Sequence, residues 1–111
     1  MNIRDRQICD KLLSEMSILK EMMEGVSREA FLADERTSRA VCMTLINIGE
    51  LVKNITDDLR ENHKEIQWRA IAGMRDITAH KYQTLRMDDV YNTCVEDIPI
   101  FEAQIKALIQ E

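Results

Sequence analysis

Three side chains near the middle of this chain have the types and spacing to do chemistry: Arg75, His80 and Tyr82, in the order Arg-x4-His-x-Tyr. Arginine carries a permanent charge on a planar fork that matches carboxylate or phosphate oxygens. Histidine exchanges a proton near neutrality. A tyrosine hydroxyl can bind a phosphate oxygen. Together they could hold an anion and move a proton beside it. Each also has a plainer reading. Arg75 could form a structural salt bridge with Asp76, Glu50 or another carboxylate at the core edge. His80 could simply sit at a helix C-terminus and interact with its dipole, and Tyr82 could be a core-edge aromatic.

The element that must position them begins at Trp68, the only tryptophan. The run WRAIAGMRDITA predicts a helix over 68–79. At about 100° per residue, Arg75 and Tyr82 share a face with Trp68 and Ile71 and border the stripe of Ile71, Met74 and Thr78. His80 then falls about 120° from Trp68 and away from Arg75, unless the helix ends near Ala79 and frees its direction. Trp68 is expected to anchor the core. Gly73, where alanine would favour the helix, implies tight packing.

The rest of the chain supplies the frame. A first helix is expected over 4–23, with Ile8, Leu12, Ile18 and Met22 on a broad apolar face and Gly25 ending it. Ser27 caps a short turn that carries Phe31 and Leu32 inward. Asp34 or Thr37 caps a second long helix, extended to about 58, on which Val41, Leu45, Ile48, Val52 and Ile55 keep a bundle rhythm. Cys42, Ile46 and Gly49 form an adjacent stripe, and Gly49 implies close approach of another element. Glu50 beside it could pair with Arg75, line a cleft, or be an exposed helix-surface residue. A polar connection over 59–67 carries His63, read as exposed to solvent. A last helical region begins near Met87, capped by Asp88 or Asp89, and Pro99 restarts or kinks it.

Composition bounds the class. The 111 residues, 45% apolar and 32% charged, with three glycines and one proline, indicate a single all-α domain over 1–111. No apolar run suits a membrane span and the charged N-terminus is unlike a signal peptide, so a cytoplasmic protein with no membrane partner is expected. Cys9, Cys42 and Cys94 are odd in number and widely spaced, and read as buried thiols rather than a disulfide framework or metal site. The net charge of −5 argues against a general nucleic-acid binder. Lys and Arg at 60, 64, 69, 75, 81 and 86, against Glu61, Glu65 and Asp76, make the central stretch the one plausible phosphate footprint.

Arg75-x4-His80-x-Tyr82, preceded by Trp68 and Ile71-Ala72-Gly73-Met74, closely resembles the signature of HepT-like proteins of the HEPN superfamily. The resemblance extends over about 34–108, including Gly49-Glu50 and Asp97-Ile98-Pro99. It implies a HEPN-type up-and-down bundle of four to five helices, paired as a homodimer. It also implies a metal-independent endoribonuclease toxin of a type VII-like toxin–antitoxin pair, with Arg75 and His80 acting on RNA (tRNA or mRNA) and not on DNA. Tyr82 would be adenylylated by a cognate minimal nucleotidyltransferase antitoxin, blocking the cleft by bulk and charge. Lys81 would contact the RNA backbone, with Asp76 and Glu50 supporting; no cofactor and no metal are implied. Two departures stand out: Asp76 replaces the usual Asn, and His63-Lys64 and Ile66-Gln67 lack the usual prolines. The same chain would also suit a non-catalytic dimeric adaptor for a nucleotidyltransferase, or a plain helical bundle.

Overall fold

The computed structural model describes residues 1–77 and 82–111, and the regular structure among them is helical throughout. Helix α1 (Ile3–Met23) starts at Asn2, whose side chain accepts from the Asp5 amide, and ends before Gly25, which turns the chain at φ 71°. That positive φ is open to glycine without strain. Ser27 then caps α2 (Arg28–Ala33), and Asp34 caps α3 (Glu35–Lys53) by accepting from Thr37.

α3 is the spine of the fold. It packs on α1, on α2 and on the segment after Trp68, while α1 also packs on the terminal helix. Its apolar rhythm buries Val41, Leu45, Ile48 and Val52, which join Leu12, Met16, Phe31, Phe101 and Ile105 in one core. Cys9, Cys42 and Cys94 are buried free thiols within it.

α3 stops at Lys53, short of the expected 58. Asn54 donates to the Glu50 carbonyl, and the Arg60 guanidinium donates to the carbonyls of Val52 (2.8 Å) and Lys53 (3.2 Å). These bonds satisfy acceptors that a helix end leaves open. Ile55 turns into the core, and Thr56 caps a new helix, α4 (Asp57–Asn62). One contact here was not legible in the sequence. The carboxylate of Asp5, 2% exposed, accepts from the Thr56 amide (3.1 Å) and hydroxyl (2.6 Å), tying the start of α1 to the start of α4.

The helix expected over 68–79 is shorter. α5 covers Trp68–Ala72, tightens into a 3-10 turn over Gly73–Asp76, and gives way at Ile77 to extended backbone. Its backbone packs directly against α3 at Gly49. Arg75 and Tyr82 therefore do not share one helix face, since the helix ends before Ile77 and no single helix joins them. After Tyr82, α6 (Met87–Asn92) follows Arg86 with no side-chain cap, so neither Asp88 nor Asp89 caps it. Asp88 instead accepts from Arg28, which also donates to Asn92 and covers the Tyr91 ring. Pro99 cannot donate to the Val95 carbonyl. The chain makes a π turn over Thr93–Asp97 and restarts as α7 (Ile98–Ile109) with the proline in its first turn.

Candidate functional site

Trp68 sets the start of the site segment. It is 6% exposed, donates from Nε1 to the His63 carbonyl (3.0 Å) and meets Phe101 edge-on at 6.1 Å. It anchors the core as expected. His63 is not the exposed linker residue that the polar surroundings implied. Its side chain is 15% exposed and lies 3.4 Å from both Glu65 and Glu111. Folding brings the last residue of the chain over a histidine whose neighbours in sequence are all polar.

Gly49 makes the next placement. A Cβ there would fall on the Arg75 backbone nitrogen and within 3.1 Å of the Ala72 carbonyl oxygen and the Met74 carbonyl carbon. The 3-10 turn thus rests directly on the α3 backbone at the one position without a side chain. Gly73 does not share this role: a Cβ there meets nothing within 4 Å. Its place is at the junction of helix and 3-10 turn, so the tight packing expected at Gly73 belongs to Gly49 alone.

Arg75, fixed by that seat, donates from Nη1 to the Ala72 carbonyl at 3.4 Å, and its Nε lies 3.8 Å from Glu50 Oε1. Of the alternatives open in the sequence, Glu50 is thus the Arg75 partner, but a loose one. The side chains are 33% and 53% exposed. A pair this long and this wet contributes little to stability, and it leaves donors of the guanidinium fork open to another anion. Asp76 ends the turn, exposed, and among the described residues pairs with no cation. His80 and Lys81 lie outside the described residues.

Tyr82 is seated at the other end of α3. Its hydroxyl is 3.2 Å from Ser38 Oγ, and the Arg39 guanidinium lies 5.0 Å from its ring centroid. Ser38 Oγ also bonds the Glu35 carbonyl at 3.0 Å. A serine has one proton to donate, and the carbonyl can only accept. The Tyr82 phenol is therefore the donor to Ser38. Arg39 is held in turn by Glu35 (2.7 Å), whose hydrogen bond raises the arginine pKa above its ordinary value. The Ser38 and Gly49 seats are about 16 Å apart along the helix axis, at about 1.5 Å per residue. α3 thus brings Arg75 and Tyr82 onto one element but not into contact.

Ser38 and Arg39 are the residues that sequence reasoning missed. Nothing in their spacing distinguishes them from an ordinary first turn and a half of helix. The cationic footprint also narrows. Arg60 is spent on the end of α3, which leaves Lys64, in an exposed pair with Glu61 at 3.3 Å, together with Arg69, Arg75 and Arg86 among the described residues. No group of three or more His, Cys, Asp or Glu among those residues could hold a metal ion, and no helix there is long and apolar enough to cross a membrane.

A family model described as ribonuclease HepT-like matches residues 12–108. That match takes in half of α1 as well as the 34–108 stretch. Among curated proteins, one from Caldanaerobacter subterraneus subsp. tengcongensis, provisionally named an RNase, is 36% identical over 96% of this chain and 95% of its own. One from Thermococcus cleftensis, provisionally named ribonuclease HepT, is 33% identical over 89% and 90%. A Methanocaldococcus jannaschii protein, also provisionally named an RNase, is 30% identical over 90% and 86%. No solved structure matches the chain at a significant level.

Proposed function

The chain belongs to the HepT-like ribonuclease family, and from that premise we propose that it is a toxin that cleaves RNA without a metal ion, using Arg75 and His80. The observation that carries this reading is Arg75. Its backbone is pinned on Gly49, while its guanidinium has only a loose carboxylate neighbour. That is an arginine fixed in place with its charge still available. In the reaction, the ribose 2′-oxygen attacks the adjacent phosphorus and loses its proton to a base. Arg75 bears the extra charge of the phosphorane. The 5′-oxygen leaves with a proton returned by an acid, giving a 2′,3′-cyclic phosphate and a 5′-hydroxyl. His80 fits either proton role at neutral pH.

One such histidine per chain supplies a base or an acid at a given moment, so a second copy completes the pair. The exposed face of α3 supports a homodimer. Arg36, Ala40, Met43, Asn47 and Glu50 recur there every three or four residues with Arg39 beside them, cationic at one end and acidic at the other, with Met43 58% exposed between them. Antiparallel pairing about a two-fold axis would set Arg39 of each copy against Glu50 of the other. It would also bring the Arg75 seat of one copy opposite the Tyr82 seat of its partner, which suits a cleft shared by both.

Silencing is assigned to Tyr82. Its phenol oxygen would attack the α-phosphorus of a nucleoside triphosphate held by a nucleotidyltransferase, displacing pyrophosphate and losing its proton to solvent. The decisive experiment is cleavage of total cellular RNA in EDTA by protein whose Tyr82 is shown unmodified by mass spectrometry. EDTA-resistant cleavage is expected, ending in cyclic phosphates and lost in both Arg75→Ala and His80→Ala. Cleavage preserved in both variants would rule out this site, and no cleavage by the unmodified protein would favour the adaptor.

A further inference from the structure

Glu50 belongs at once to the Arg75 site and to the outer face of α3. Within its own chain its Oε1 lies 3.8 Å from Arg75 Nε. It also lines a groove of about 480 Å³ between α1 and α3, together with Ile18, Asn47 and Leu51. Ile18 in this groove and Met43, one turn before Asn47, are exposed apolar side chains. Arg36 lies seven residues before Met43 and Glu50 seven after it. Seven residues are close to two helical turns, so all three share one face of α3. A two-fold axis at Met43 sets the two methionines together and puts Arg36 of one copy level with Glu50 of the other, about 10.5 Å from the axis. Arg39 reaches the same end of the face but is already held by Glu35 at 2.7 Å. Arg36 is exposed and makes no ion pair among the described residues. The occupant that matches this surface is a second copy, because a cation at one end and a carboxylate at the other complement an antiparallel twin at both ends at once. We infer that Glu50 is a latch released by dimerisation: in the single chain it restrains Arg75 and repels phosphate, and Arg36 of the second copy draws it away and leaves Arg75 open to the RNA phosphate.

This rests on the function proposed above and extends it to the regulation of the same site. The exchange loses little, because the Glu50–Arg75 pair is long and largely hydrated. The new pair forms beside Met43 and Ile18, which the second copy covers, and is correspondingly less screened. Glu50 is a positioning residue in this scheme and touches neither RNA nor the reacting atoms. The second copy therefore does more than supply another histidine. Linkage makes the effect reciprocal: if dimerisation frees Arg75 for phosphate, a phosphate on Arg75 strengthens the dimer by the same factor. A surface ion pair sets that factor at about threefold for each site.

A short 2′-O-methyl RNA tests this without cleavage, because its methylated 2′-oxygens cannot attack phosphorus. Sedimentation of the full chain with and without this RNA gives the dimer dissociation constant. Anisotropy of the labelled RNA, at protein concentrations below and above that constant, gives the affinity of monomer and dimer. The parent should bind the RNA about threefold more tightly per site as a dimer. Glu50→Gln should move the two measurements in opposite directions. Its dimer should be about tenfold weaker, having lost two symmetry-related pairs, while its monomer should bind RNA about threefold more tightly than the parent monomer. A variant that had merely lost structure would lose both. Arg36→Gln should weaken the dimer as much, and the double variant no further than either single one. A Glu50→Gln protein that dimerises like the parent, or whose monomer binds the RNA no more tightly, would overturn the latch. A parent that stays monomeric with RNA at every concentration reached would overturn the surface. If the parent shows the coupling but cuts no RNA in EDTA, the ribonuclease reading fails and the latch stands.

Discussion

Gly49→Ala tests the central placement. The added methyl would fall on the Arg75 backbone nitrogen and press on Ala72 and Met74 at 3.1 Å, all of them backbone atoms that cannot rotate aside. Overpacking of this kind costs about 1–3 kcal/mol. Alanine in a helix interior returns roughly 0.5–1 kcal/mol through its better propensity. The net expectation is a loss of about 1 kcal/mol or more, or roughly 4 °C in melting temperature for each kcal/mol. Gly73→Ala is the matched control, because a Cβ there meets nothing and φ is an ordinary −63°. It should be neutral or stabilising by about 0.5 kcal/mol. Cleavage should separate the two further. A shift of the Arg75 backbone on the order of 1 Å can lower the rate about 100-fold, whereas Gly73→Ala should leave the rate within a few-fold. Urea and thermal unfolding give the first comparison, and initial cleavage rates in EDTA give the second. A Gly49→Ala protein that melts and cleaves like the parent would refute the seat. So would a Gly73→Ala protein that loses as much.

Two further outcomes follow from groups buried elsewhere. Asp5→Ala removes both bonds to Thr56 and leaves the α4 cap without its anchor. Given the usual worth of hydrogen bonds to a charged group, it should destabilise the protein by about 2–3 kcal/mol in urea unfolding; a change below about 0.5 kcal/mol would show that the α1–α4 tie is not a stabilising contact. Burial pushes the Cys94 thiol up to about 12 and Cys9 up to about 11, in each case from 9.0. These groups are held neutral in the folded protein, so their contribution is fully present below about pH 9 and fades as pH rises toward the folded values. Unfolding midpoints should fall between pH 9 and 11. Iodoacetamide at pH 8 should label these thiols only after urea is added. Rapid labelling of the native protein would contradict the burial.

Much of the fold was legible because it depends on local rules. The apolar spacing of α3, the caps at Ser27 and Asp34, the stop at Gly25 and the restart at Pro99 are short-range matters of period and backbone chemistry, whereas on α1 the buried face runs through Ile8, Leu12, Met16 and Leu19 and leaves Ile18 exposed, and Leu32, expected inward, is exposed as well. Trp68 as an anchor and Gly49 as a point of close approach were legible for the same reason, since a lone large aromatic and a mid-helix glycine each carry a packing demand. The run after Trp68 was misread where a local pattern met a tertiary constraint. Its residues favour helix through 79, but over the contact with Gly49 the backbone tightens from Gly73 and leaves the helix at Ile77. His63 was misread because its cover comes from Glu111, at the far end of the chain.

The all-α class, the spine helix and the types of the candidate groups, Arg75, His80 and Tyr82, follow from the order of residues alone, because composition, period and the signature block are properties of neighbours along the chain. It takes the folded chain to set Arg75 on Gly49 beside a loosely paired Glu50. The fold alone also places Tyr82 some distance away, held by Ser38 and Arg39. Those contacts join residues 25 to 44 positions apart, and no local spacing specifies which turn of α3 meets which part of the chain that follows.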